Sequence, residues 1–222
     1  MHESSALFSI GPLEVTRPVV TMWVIIAVLA LVSWLATRKL KEEPGPLQSA
    51  AELAVTKLRD LYAGSVNREA LDKYLPVLGT FFIFIITCNY SGLLPGAGKA
   101  FAVPTASLSV TGGLAVSSLL FTLYAGFRKR GLWGYAKTFL SPLPLFFLML
   151  PLNLIEQAVR PVSLAMRLYG NIFGEETAVE QMGVVLPVIM QVLSLLFGAI
   201  QAIVFTKLVA AYLEEATELE EE

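Results

Sequence analysis

Hydrophobic and polar positions come in long blocks along this chain. Residues 18–37, 74–95, 104–127 and 181–206 carry no charged side chain and are rich in Val, Ile, Leu, Phe and Ala. About 20 mostly apolar residues cross the hydrocarbon core of a bilayer as a helix. Backbone polar groups in lipid must be satisfied within their own segment, so each block predicts a helix. The last block keeps its helical pattern to about residue 213. A fifth segment, 141–178, is long and apolar but interrupted by charge. The pattern predicts an all-α membrane protein in a single membrane domain, 1–222, with about five transmembrane helices at 18–37, 74–95, 104–127, 141–178 and 181–213.

The segment 46–63 follows a different rule. Leu47, Ala50, Ala51, Leu53, Ala54, Leu58, Leu61 and Tyr62 recur near helical spacing, with Glu52, Lys57, Arg59 and Asp60 mostly between them. This predicts an amphipathic helix lying on the membrane surface, with a solvated connector as the plainer alternative. Residues 1–17 contain Glu3, Glu14 and Arg17 rather than a basic cluster, and no small-residue cleavage motif follows 18–37. A retained first helix is expected rather than a signal peptide. Arg38, Lys39, Lys41, Lys57, Arg59, Arg68 and Lys73 lie between the first two spans, and Arg128, Lys129, Arg130 and Lys137 between the third and fourth. The other side holds Arg17 and Lys99. The positive-inside rule then places the N-terminus outside, and the C-terminus with its acidic tail 214–222 in the cytoplasm.

The charges of 141–178 carry the chemistry. Glu156 and Arg160 are four apart and can pair on one helix face. Ser163, Arg167, Asn171 and Glu175 are also spaced by four and form one ridge, with Glu176 beside its end. A guanidinium near the middle of a bilayer costs about 2.5–3.5 kcal/mol on insertion scales. Arginine cannot escape by losing its proton. Such a residue is expected to meet an ionisable partner or a moving ion. The plainer readings are a structural salt bridge for Arg167, a helix-to-helix tie for Asn171, and solvated interfacial charge for Glu175 and Glu176. Arg160 is explained by snorkelling or by pairing with Glu156. Gly170 and Gly174 form a step that lets another helix come close. On the last span, the mid-run Gln201 must find a hydrogen-bond partner, and Ser194 is a second polar position.

Composition narrows the function. The 222 residues are 55% hydrophobic and 15% charged, below the roughly 25% charge of soluble domains. The sole Cys88 permits no disulfide within the chain, and the sole His2 removes HExxH and Cys/His metal chemistry. No GxxxxGK(S/T) loop is present to cradle ATP. No metal, cofactor or nucleic acid is expected.

The stretch Arg160-Pro-Val-Ser-Leu-Ala-Met-Arg-Leu-Tyr-Gly-Asn-Ile-Phe-Gly-Glu-Glu176 resembles the KPVSLxxRLFGNxxxxE segment of subunit a of rotary F-type ATP synthases. Supporting matches are Gly45-Pro-Leu-Gln48, Tyr74-Leu-Pro-Val-Leu-Gly-Thr80, Gly92-Leu-Leu-Pro-Gly96, Pro104-Thr-Ala106, Leu152-Asn-Leu-Ile-Glu156, Gln201-Ala202 and Tyr212-Leu213. Order and spacing agree over 45–213. The resemblance implies a static membrane subunit, without a catalytic site of its own, whose last two helices are long, tilted and laid against a ring of c subunits. Arg167 is then the stator arginine facing the ring's carboxylates. Asn171, Glu176, Ser194 and Gln201 match positions tied to the arginine or the outer half-channel. Ser163 and Glu156 match positions toward the cytoplasmic one. Ser107 stands where the family commonly has Asp, and Glu175 can share or replace the role of Glu176.

The resemblance also implies subunit b of the peripheral stalk and the remaining synthase subunits as partners, with a bacterial inner membrane as the setting. The chief rival is a secondary transporter whose intramembrane Arg binds an anionic substrate, and it lacks inverted halves or paired broken helices. An intramembrane enzyme lacks a Ser/His or metal constellation. A purely structural bundle leaves the polar ridge unexplained.

Overall fold

A computed structural model describes residues 6–10, 13–38, 44–64, 67–94, 102–140, 146–180 and 186–217. The described elements run β1 (Ala6–Ile10), β2 (Leu13–Thr16), α1 (Arg17–Thr37), α2 (Pro46–Tyr62), α3 (Arg68–Ser91), a 3-10 turn (Pro104–Ala106), α4 (Leu108–Leu140), α5 (Phe146–Glu180) and α6 (Leu186–Thr217). The protein is all-α in its membrane part. Among the described residues, four helical stretches are long and apolar enough to cross a membrane: Arg17–Thr37, Ala70–Ser91, Leu108–Gly131 and Gln191–Thr217. α5 has the length but also carries Glu156, Arg160 and Arg167.

The two strands pair as an antiparallel hairpin ahead of α1. Hydropathy gave no sign of it, because each strand is too short to rise above the apolar background. α3 ends at Ser91, before Pro95 of the expected span, and begins six residues earlier than expected. Pro104 opens a 3-10 turn rather than a membrane helix, and α4 starts at Leu108. α4 is kinked at Gly131, whose φ of 71° lies in the left-handed region that suits a residue without Cβ. Beyond the last apolar block, α6 runs on to Thr217, so Glu214 and Glu215 belong to a helix and not to a free tail. The expected acidic residues 218–222, and 141–145 and 181–185 of the expected spans, lie outside the described residues.

The core forms where α2, α3, α4, α5 and α6 converge. Leu58 and Tyr62 of α2, Leu71, Tyr74, Leu78 and Ile85 of α3, and Leu164 and Leu168 of α5 meet Phe205, Val209 and Leu213 of α6. Between lipid-like surfaces this packing rests on close contact rather than on water exclusion. α2 docks chiefly through its C-terminal end, where Leu58 and Tyr62 are buried, while Pro46 to Lys57 are mostly exposed. Its anchor is a buried 2.6 Å hydrogen bond from the Tyr62 hydroxyl to Thr206 Oγ1 on α6. Burial pushes the Tyr62 phenol up to about 12, and the Thr206 bond pulls slightly the other way.

α5 and α6 are 35 and 32 residues long. At about 1.5 Å per residue they reach about 48–52 Å, beyond a hydrocarbon core of about 30 Å. Helices of that length tilt, bend or project from the bilayer. Pro151 and Pro161 inside α5 each remove one intrahelical hydrogen bond and favour bending.

Candidate functional site on the last two helices

α5 has two faces. Leu164, Ala165, Leu168 and Ile172 are buried against the bundle. Val159, Val162, Met166 and Phe173 point outward and are about half exposed or more. Ser163, Arg167, Asn171, Gly170 and Gly174 are on the exposed side as well. Arg167 makes no hydrogen bond or ion pair with another described residue. Residue 167 is exposed, on the side that carries Met166 and Phe173 as well as Ser163 and Asn171. A Cβ placed on Gly170 or Gly174 would meet nothing within 4 Å among the described residues, so no described helix packs on that step.

One turn beyond Arg167, Asn171 Nδ2 donates a 2.8 Å hydrogen bond to Gln201 Oε1 on α6. Gln201 is buried, and this bond is the partner its mid-run position required. Ser194 lies seven residues earlier on α6, half-buried, two turns from Gln201. Glu175 and Glu176 sit on α5, but their side chains lie outside the described residues. The structure thus brings Asn171 to Gln201 and places Arg167 four residues away. Ser163 stands one turn to the other side of Arg167.

Toward the other end of α5, Arg160 is largely buried while its acids are not. Its Nη2 donates to Glu156 Oε1 and to Glu215 Oε1, each at 2.7 Å. Its guanidinium also stacks over Tyr212, 4.7 Å from the ring centre. The i,i+4 pair with Glu156 was legible in the spacing. Glu215 and Tyr212 were not, because they come from the far end of α6. Arg130 Nη2 of α4 donates to the Glu215 carbonyl at 3.1 Å, so three helices are tied there.

Sequence reasoning missed Asn89. This α3 residue is buried and donates from Nδ2 to the Gly198 carbonyl of α6 at 2.9 Å. The signal was available: an amide inside an apolar run, the argument already applied to Gln201. Tyr90, its neighbour, donates to the Leu195 carbonyl at 3.3 Å.

Comparison with known proteins decides the family. Residues 19–214 match the profile of the ATP synthase A chain. This chain belongs to that family. It is 38% identical over 211 residues to ATP synthase subunit a of Moorella thermoacetica, covering 93% of each chain. It is 38% identical over 217 residues to ATP synthase subunit a 2 of a Bradyrhizobium species, covering 96% of this chain and 94% of that one. It is 37% identical over 230 residues to ATP synthase subunit a 1 of Chlorobaculum parvum, covering 100% and 98%. The family is one of membrane components without a catalytic site of their own, in keeping with several apolar helices.

Proposed function

We propose that this chain is the ion-translocating stator subunit of an ATP synthase, with a proton as the ion. It would lie against a ring of c subunits, beside subunit b of the peripheral stalk and the rest of the synthase. The observation that carries this reading is the exposed Arg167, without a hydrogen bond or ion pair among the described residues, on a helix whose opposite face is buried. A permanent cation cannot be left against lipid tails, so another chain must cover it and bring an acid. Exposed Val162, Met166 and Phe173 on α5, and Leu193, Leu196, Phe197 and Ile200 on α6, supply apolar surface for such a neighbour. Gly170 and Gly174 leave room for its backbone.

The mechanism follows from charge. A carboxylic acid on the ring loses its ion as it nears Arg167, because the guanidinium favours the ionised form. The ring then carries the site on to pick up an ion from the opposite side. Asn171, Gln201, Ser194 and Glu175 or Glu176 line the outer half-channel, and Ser163 and Glu156 lie toward the cytoplasmic one. Arg167 between them blocks a direct leak. The Asn171–Gln201 bond holds α5 and α6 in step next to the cation. The distribution of Lys and Arg supports a cytoplasmic C-terminus in a bacterial inner membrane, with five membrane helices and α2 on the cytoplasmic surface.

ATP-driven ion pumping in membrane vesicles tests this. Arg167→Ala and Arg167→Lys should each lower it by roughly 100-fold or more, as expected when a preorganised charge is removed from a water-poor site. An ammonium lacks the planar fork and gives up its proton when desolvated. Wild-type coupling in both variants would end the proposal.

A further inference from the structure

Arg167 lies on a stretch of α5 that is tied to α6 at both ends. Four residues after it, Asn171 donates to Gln201. Seven residues before it, Arg160 donates from one nitrogen, Nη2, to Glu156 Oε1 on its own helix and to Glu215 Oε1 on α6. Pro161 stands next to Arg160 inside α5. It lacks the N–H that would bond the Gln157 carbonyl, so the helix resists bending least in that turn. The bond to Glu215 therefore grips α5 at its weakest turn. Glu215 is itself well placed to act as a fixed point. Its carbonyl accepts from Arg130 Nη2 of α4 at 3.1 Å. Its neighbour Glu214 accepts through Oε1 from the backbone N–H of Asn67, at the start of α3, at 3.1 Å. Tyr212, one turn earlier, lies against the Arg160 guanidinium. The end of α6 is thus joined to α3, α4 and α5.

We infer that Glu215 is a positioning residue, which acts through Arg160 to set the height and rotation of the part of α5 that carries Arg167. The inference rests on the stator reading of Arg167 given above. The stretch from Arg160 to Asn171 is about 16 Å long at about 1.5 Å per residue. Held only at Asn171, it can pivot about that bond. Held at both ends, it cannot. A small cavity bordered by Ser118, Thr122, Gln157 and Tyr212 adjoins Arg160, so the guanidinium has room to swing once Glu215 is gone. The Glu215 side chain is mostly exposed, and ion pairs with exposed members contribute little to stability. Its effect is on where α5 lies rather than on whether the bundle holds. The length of the side chain then matters more than its charge, because a carboxylate and a carboxamide both offer Arg160 an acceptor oxygen.

The test uses the whole synthase in membrane vesicles and follows ions pumped per ATP hydrolysed, together with the amount of this chain recovered. Glu215→Ala should lower the ratio roughly tenfold, as expected when a reacting group is misplaced, with recovery unchanged. Glu215→Gln keeps the length and an acceptor oxygen, and should stay within about twofold of the unaltered synthase. Glu215→Asp keeps the charge but is one methylene shorter, and should fall with Glu215→Ala. That variant decides the matter even if Glu215→Ala is poorly recovered. Adding Glu215→Ala to Arg160→Ala should lower the ratio no further, because the carboxylate acts only through the guanidinium. Unaltered coupling in Glu215→Ala and Glu215→Asp, alongside failure of Arg167→Ala, would overturn the inference and leave the stator reading standing. Unaltered coupling in Arg167→Ala as well would sink that reading. Full coupling in Glu215→Asp with loss in Glu215→Gln would show that charge and not position is at work, and would also overturn the inference.

Discussion

α1 and α5 both leave much of their surface uncovered, and the two exposures mean opposite things. α1 has no charge after Arg17, buries only Pro18 and Ile25, and turns Trp23, Val28, Leu31 and Trp34 outward. Lipid tails cover such a surface at no electrostatic cost, so nothing more is needed. α5 buries one face tightly and exposes another that carries Arg167. Lipid cannot cover that cation. An exposed apolar helix in a membrane needs no cover beyond lipid, whereas an exposed charged one does. Exposure alone does not identify a binding surface in a membrane protein. Exposure together with a charge that lipid rejects is what supports the proposed interface on α5.

Exchanging the two chemistries should produce the largest effect. Leu31→Arg puts a guanidinium on the lipid-facing side of α1, at about 2.5–3.5 kcal/mol on insertion scales. The amount of chain recovered in the membrane fraction should fall severalfold. Arg167→Leu should leave insertion unchanged while pumping is lost. If Leu31→Arg inserted normally, or Arg167→Leu failed to insert, the contrast would be wrong.

An intermediate effect sharpens the same contrast through packing. Leu168 on the inner face of α5 is fully buried. Leu168→Ala should destabilise the assembled subunit by about 2–4 kcal/mol through the cavity it leaves. Leu31→Ala on α1 should change stability by no more than about 0.5 kcal/mol. Heat-induced release of the subunit from detergent-solubilised synthase reads both, and equal losses would mean that α1 is packed by a neighbour.

The smallest effect lies where the surface helix α2 meets α6. The Tyr62 phenol titrates at about 12 when folded and at 10.0 when free. Between those values the folded chain keeps a proton that the unfolded chain has lost. The stability due to this group is therefore full below pH 10 and declines as pH rises toward 12. Unaltered synthase should lose more stability than Tyr62→Phe between pH 9 and 11. Parallel losses would show that the phenol is not enclosed.

The polar ridge of α5 was legible because a helix repeats every 3.6 residues, which aligns side chains four apart. Glu156 with Arg160, and Arg167 with Asn171, needed only that arithmetic. The partner of Gln201 was legible in kind but not in identity, since an amide in lipid must be satisfied and any nearby helix can do it. Asn89 obeyed the same rule and was passed over because a single amide barely alters the hydropathy of its run. Glu215 falls in the expected acidic cytoplasmic tail, because an acidic run after an apolar block looks the same whether or not the helix continues. The hairpin at residues 6–16 and the turn at Pro104–Ala106 are set by pairings and caps too local for a hydropathy window to register.

What the chain determined by itself is its medium and its long helices: blocks of about 20 uncharged residues must be membrane helices, whatever they pack against. It also placed Arg167, a cation that is costly against lipid. Only the tertiary structure decided which face of α5 is shut and which is open, that Asn171 meets Gln201, and that Asn89 reaches the same stretch of α6. Periodicity assigns a residue to a face of its own helix. Which face turns inward depends on contacts with residues far away in sequence, and no local pattern encodes them.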